Sequence, residues 1–377
     1  MRVRPAPTPL AEALAERIRS NGPITFAEYM DSCLYDPENG YYSRADLQPS
    51  RDYFTSVDVS PVFGRLLARQ FEEMWRILGR PDEFALVEAG AGAGALAKQV
   101  LDCTDELPGN FREALRYITV ERSAARRRTQ AELLEKHAAA GRVTSCEKLP
   151  EVIACGCIFS NELLDALPVH RVAQQKGALR EIYVSLGKNG FCEEVGPLSS
   201  SALEDYFSRQ GIALPDELQA ETGLAACDWI AQAGENLRQG FVLTIDYGHE
   251  ARELYDDRHM RGTLLAYEGH RASEEFFRAP GEQDLTAHVN FTALDLWGRP
   301  SGLVRAGFTS QTNFLLSLAR HGEFADLQLE GRSEIEQTRA RLLFKTLIHP
   351  EGMGETFQVF AQQKGIVARE LAGFRPL

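Results

Sequence analysis

Glu88 is followed by glycines at 90, 92 and 94, inside the run FALVEAGAGAGALAKQ from Phe84 to Gln99. An apolar stretch ends in the acid, the glycines interrupt it, and a helix-forming Ala/Leu/Lys segment begins at once, so the run reads as strand, tight turn, helix. Glycine lets a backbone come close to a ligand and take positive φ, and a turn that opens a helix aims amide groups at whatever sits there. A carboxylate at the carboxyl end of a strand stands where ligands of open α/β sheets bind. Two chemistries compete for this cradle. Gly90, Gly92 and Ala95 satisfy the G-x-G-x-x-G/A fingerprint, whose bound group is an anionic pyrophosphate, as in an NAD-dependent oxidoreductase. Glu88 argues the other way, because a carboxylate suits an ammonium group, such as the amino-acid end of S-adenosylmethionine, better than phosphate. The plain structural alternative is a turn that only packs a helix on a strand.

Further candidates follow along the same sheet. A second strand, Tyr117–Val120, ends in Glu121, and an acid there can hold both hydroxyls of a ribose. Glu121 stands 27 residues after Gly94, a spacing stretched by the Asp102–Asn110 loop. Glu147, just past a third strand at Val143–Cys146, is a candidate for the adenine side. A fourth strand, Ala154–Ser160, runs into SNELLDALPVHR, which sets Asn161, Glu162 and Asp165 where the reactive end of a ligand would lie. Asn161 could also touch the cofactor. Glu162 and Asp165, three apart, would share one face of a helical first turn and could grip a guanidinium or ammonium; helix-start chemistry is the competing reading. Thr55 and Asp58 crowd the entry of a helix with Ser60 as cap and Pro61 at its first position, as substrate contacts or as loop solvation. Asp246 and Tyr247 close the strand FVLTIDYG. The long segment 249–290 carries Tyr267, His270, Asp284 and His288 and reads as an ordered lid, with His288 and Asp246 in reserve as bases.

These residues need elements to hold them. The 377-residue chain is long enough for two domains. Helices over 1–80, including a capping box at Thr25 and Glu28, are expected to dock on the main sheet. The α/β core spans 81–168 and 238–377, and 169–237 is an inserted antiparallel ribbon with a helix near Ala225–Leu237. A terminal hairpin, Leu343–Ile348 with TFQVFAQQK, would append an antiparallel strand to the parallel sheet. With net charge −13 a phosphate-backbone partner is disfavoured, and a basic substrate is compatible. The eight histidines and seven cysteines show no metal-ligand spacing. Reduced thiols, no apolar run of membrane-spanning length and no signal-peptide core in MRVRPAPTPL point to the cytoplasm.

GPITFAEYM with DPENGYY, DYFTSVDVSPVFGRLLA, VEAGAGAGAL, SNELLDALPVHR, LTIDYG, GTLLAY with PGEQDLTAHVNF, and HPEGMGETFQVF occur in that order. Taken together the chain resembles the MidA-type class I S-adenosylmethionine-dependent methyltransferases over nearly its whole length. The resemblance implies a Rossmann-like seven-stranded α/β sheet with its last strand antiparallel, S-adenosylmethionine as cofactor and S-adenosylhomocysteine as product. It places Glu88, Gly90, Gly92 and Gly94 at the methionine end, Glu121 at the ribose, SNELLDALP beside the transferred methyl, and DLTAHVNF in the lid. The mitochondrial member of that family methylates an arginine of a respiratory complex I core subunit, so a protein partner with an arginine acceptor is implied. A homodimer and a non-catalytic assembly role on the same fold remain alternatives. Two departures stand out: Ala95 where relatives carry threonine or serine, and SVDV where APEI is usual.

Overall fold

Apolar runs that would be insoluble alone are buried on both faces of one sheet. The structure, a computed structural model, describes residues 7–43, 61–107, 109–269, 271–319, 333–349, 356–367 and 369–376. The chain divides into two units, one built from Met1–Tyr53, Leu164–Asp228 and Gly248–Leu296, the other from Phe54–Leu163, Trp229–Tyr247 and Trp297–Leu377.

The second of these holds the central sheet. Its strands are β1 (Phe84–Ala89), β2 (Leu115–Val120), β3 (Val143–Cys146), β4 (Gly156–Asn161), β5 (Gly240–His249), β6 (Val304–Ser310) and β7 (Phe357–Lys364). Across the sheet they lie in the order β6-β7-β5-β4-β1-β2-β3. β5, β4, β1, β2 and β3 are mutually parallel, while β7 runs antiparallel to β5 on one side and β6 on the other. Its helices include α1 (Val62–Ile77), α2 (Ala95–Cys103), α3 (Ala124–Leu133) and α4 (Glu334–Ile348). α1 places Phe63, Leu67, Phe71 and Met74 at helical spacing on its buried face. They join Phe84, Phe159 and Phe241 from the strands in one core, where each large side chain contributes roughly 1.5–3 kcal/mol by burial. Gly156 opens β4 where a Cβ would stand 1.9 Å from the Ala85 carbonyl oxygen, so β1 and β4 can meet there only with glycine.

The expected terminal hairpin is half right. TFQVFAQQK does supply the antiparallel strand β7, but Leu343–Ile348 is the end of α4, and the second partner of β7 is β6. An apolar run of six residues fits either period. The capping box formed by Ser333 and Glu336 settles it upstream, and Phe344 and Leu347 then bury as one helical face.

In the other unit, helices Pro9–Asn21 and Phe26–Tyr35 share a core with the inserted ribbon, through Leu14, Phe26, Tyr29, Val169 and Val184. Ile24–Thr25 pairs with Ala178–Gly187, which also pairs with His170–Gln175 and Gly190–Gly196, all antiparallel. The helices Pro9–Asn21 and Phe26–Tyr35 thus pack on this antiparallel sheet, while Val62–Ile77, the last helix of segment 1–80, packs on the central one. The capping box of Thr25 and Glu28 is formed, with the Glu28 amide donating to Thr25 Oγ1 at 3.2 Å and the Thr25 amide to Glu28 Oε2 at 2.9 Å. Segment 249–290 is ordered by a three-stranded sheet of Leu265–Glu268, Arg271–Ser273 and Asp284–Thr286.

Candidate functional site

The turn between β1 and α2 has Gly90, Gly92 and Gly94 at φ of 74°, 54° and 86°, a region closed to most side chains. A Cβ on Gly90 would also lie 2.8 Å from Leu163 Cδ1. Four amides of the turn are already engaged. Those of Gly90 and Ala91 donate to the Val120 carbonyl at 2.9 and 3.1 Å, that of Gly92 to Glu121 Oε2 at 2.9 Å, and that of Gly94 to the Ala91 carbonyl at 2.9 Å. These four amides therefore bond within the protein, while α2 opens directly after them at Ala95. A diphosphate at those four amides would have to break bonds that the protein has already made.

What the turn does offer is a pair of carboxyl groups, Glu88 and Glu121. Glu88, at the end of β1, is 4% exposed and accepts a hydrogen bond from the Tyr117 hydroxyl at 2.7 Å. Burial pushes its carboxyl up to about 8; the Tyr117 bond opposes this and the charge of Glu121 adds to it. Glu121 is fixed by two backbone donors, Gly92 on Oε2 and Ser123 on Oε1 at 2.7 Å. A carboxylate has about four acceptor sites, so two remain for hydroxyls. Gln130 of α3 braces the arrangement: its amide donates to the Gly92 carbonyl at 2.8 Å while its oxygen accepts from Thr119 and Ser145. Neither Tyr117 nor Gln130 was singled out from sequence. The only signals were the alternation of Tyr117 with Thr119 along β2, and a glutamine on the poorly apolar face of an arginine-rich helix. Two carboxyl groups beside the glycine turn suit a ligand with a cationic terminus and a diol.

At the end of β4, Glu162 takes φ of 53°, left-handed for a residue with a side chain, a conformation that costs on the order of 1–3 kcal/mol. Its amide donates to the Ile245 carbonyl at 3.0 Å, and the Asn161 side chain donates to Glu162 Oε1 at 3.0 Å. Asp246, fully buried, accepts from the amides of Leu163 at 3.2 Å and Tyr247 at 2.9 Å, which clamps the same loop. No helix follows β4 here, so the expected helical first turn carrying Glu162 and Asp165 on one face is absent. The left-handed residue ends the strand in a bend instead. Tyr247 packs its ring on Phe357 at 3.9 Å between centroids. Glu147 is exposed and faces Arg127 at 3.4 Å.

Four other candidates belong to the first unit. Asp284 accepts from the Tyr42 hydroxyl at 2.9 Å, and Tyr267, opposite it in register, has its hydroxyl pushed up by burial and by the charges of Asp165 and Asp284. Asp165 is buried and its carbonyl accepts from the Ala287 amide at 3.0 Å. The His288 ring lies 5.3 Å from His249 and 6.4 Å from His259. Burial, then those two neighbours, brings it down to about 4, so at neutral pH it is uncharged. Thr55, Asp58, Ser60 and His270 lie outside the described residues.

Sheet order, glycine turn and paired carboxylates define a class I, Rossmann-like S-adenosylmethionine-dependent methyltransferase. A family profile described as "Putative S-adenosyl-L-methionine-dependent methyltransferase" matches residues 66–309, and the chain belongs to that family. It is similar to the protein arginine methyltransferase NDUFAF7, mitochondrial, of Danio rerio, 30% identical over 92% of this chain and 85% of the relative. The Homo sapiens protein of the same name is 27% identical over 94% of this chain and 83% of its own length. Among solved structures, a "likely methyl transferase" from Burkholderia thailandensis, crystallised with S-adenosyl-homocysteine, superposes with TM-score 0.86 at 32% identity, covering 98% of this chain and 97% of that one. The cofactor is S-adenosylmethionine. The expected cytoplasmic location is corrected by these relatives, which are named mitochondrial.

Proposed function

We propose that this methyltransferase acts on arginine side chains of a protein. The observation that supports this reading most is Glu162, a carboxylate held in a left-handed backbone where β4 ends, in a family whose relatives are named protein arginine methyltransferases. When bound, the cofactor supplies an electrophilic methyl group on a sulfonium. Glu88 would receive its ammonium group and Glu121 its ribose hydroxyls, with Gly90, Gly92 and Gly94 leaving room for the chain between. Glu147 stands as the candidate on the adenine side.

An arginine side chain stays protonated at ordinary pH, so its methylation needs a group that orients the guanidinium and takes a proton. Glu162, positioned by Asn161, does this in our reading, and Asp165 is a second candidate for the proton. Methyl transfer is otherwise a matter of alignment. Asp246 acts through the loop it clamps, and Tyr267, Asp284 and His288 serve the acceptor side. A core subunit of respiratory complex I, the target implied by the family resemblance, is the acceptor we would test first. Calorimetry with S-adenosylhomocysteine and with NADH separates this reading from a dehydrogenase. Mass spectrometry of arginine methylation in cells with and without the chain tests the acceptor, and an unchanged arginine methylome would refute it.

A further inference from the structure

The first unit contains a partly enclosed pocket that none of the cofactor residues lines. Its walls are largely apolar, with Leu164, Leu167, Ala226 and Leu294 among them, and its polar side chains include Glu221 and His288. Glu221 is 6% exposed. One of its oxygens, Oε2, accepts from the Thr263 amide at 2.9 Å and hydroxyl at 3.1 Å. The other, Oε1, is buried with no partner among the described residues, and so is Nδ1 of His288. Gly262 makes room for that carboxylate, since a Cβ there would stand 2.1 Å from Oε1. The two residues are tied together, because the His288 amide donates to the Thr263 hydroxyl at 3.0 Å.

A buried acceptor without a donor costs on the order of 1–3 kcal/mol, more for a charged one. Tyr206, Tyr255 and Asn290, which also line the pocket, do not relieve it: they bond to one another and to the Glu221 carbonyl. With His288 uncharged, the site lacks a cation and has acceptors to spare. A group with an aliphatic stem and a cationic, multiply donating head meets both the apolar wall and the orphaned acceptors.

We infer that this pocket binds a basic side chain of the protein substrate, a guanidinium for preference, with Glu221 as its counter-ion. The inference rests on the reading of a protein arginine substrate but concerns residues outside the cofactor cradle. The test titrates N-acetyl-arginine amide and its neutral isostere N-acetyl-citrulline amide into the full chain, followed by NMR. The same samples are titrated with S-adenosylhomocysteine. The variants are Glu221→Gln, which removes the charge, and Ala226→Leu, which crowds the pocket from a half-buried lining position without altering the carboxylate. The arginine compound should bind and the citrulline compound should not, and each variant should weaken arginine binding at least about tenfold, with S-adenosylhomocysteine affinity unchanged. Equal binding of both compounds, arginine binding unaltered in both variants, or no arginine binding by a chain that still takes S-adenosylhomocysteine would overturn the inference. Failure to bind S-adenosylhomocysteine would strike at the cofactor cradle instead.

Discussion

Replacing Glu88 with glutamine should change how the protein exchanges protons with its cofactor. Glu88 is buried, is held by the Tyr117 hydroxyl and titrates at about 8 in the folded chain. Near pH 7 about nine-tenths of the ligand-free molecules therefore carry it protonated. Pairing with an ammonium group requires the carboxylate, so binding S-adenosylhomocysteine at pH 7 should release about 0.9 proton per site. Ionising the group first costs about 1.4 kcal/mol at pH 7, so affinity should rise nearly tenfold between pH 7 and 8.5 and then level off. Glutamine cannot release that proton. It should also lose a charge-assisted bond worth roughly 1.5–3 kcal/mol, or about 10- to 150-fold in affinity. Calorimetry in two buffers of different ionisation enthalpy counts the protons directly. Equal proton release by the wild type and Glu88→Gln would refute the assignment of the ammonium group to Glu88.

The same raised carboxyl governs stability without ligand. Its contribution is fully present below the unfolded value near 4.5 and is lost as pH rises towards about 8, so above pH 8 Glu88→Gln should unfold at a higher temperature than the wild type. Tyr117→Phe removes the bond that lowers the Glu88 carboxyl, and should move the proton-release midpoint to higher pH in the same calorimetric experiment. Glu162→Gln should lower turnover by orders of magnitude and leave S-adenosylhomocysteine affinity near normal; unchanged single-turnover methylation would remove Glu162 from the chemistry. Gly156→Val should cost more than about 4 kcal/mol, because the Ala85 carbonyl occupies the space of a Cβ; a thermal melt within a few degrees of wild type would contradict the β1–β4 geometry.

Much of the central sheet was legible because its strands are short apolar runs ended by acids or glycines, and Glu88, Glu121 and Glu162 could be placed at strand ends from sequence alone. The bonding inside the glycine turn was not. Whether an amide faces a ligand or a neighbouring carbonyl depends on the path of β2, and no local pattern encodes that. Glu162 illustrates a second limit. Its spacing to Asp165 suggested a helical face, whereas the chain bends into a left-handed residue that only tertiary contacts, the Ile245 carbonyl and the Asp246 carboxylate, can hold. Glu221 escaped notice for a similar reason. It sits in Gln219–Thr222, a strand too short to show a period, and its significance comes from Thr263 and His288, far along the chain.

The position of β7 has a consequence for biogenesis. It is inserted between β5 and β6, yet it follows both in the chain, so a product interrupted between Ser310 and Phe357 carries six of these seven strands with a vacant slot one strand in from the edge of the sheet. Two unpaired borders then face each other across the slot, and each can recruit an extended segment from another molecule. Late truncations should therefore yield aggregates and chaperone clients, not weakened enzymes.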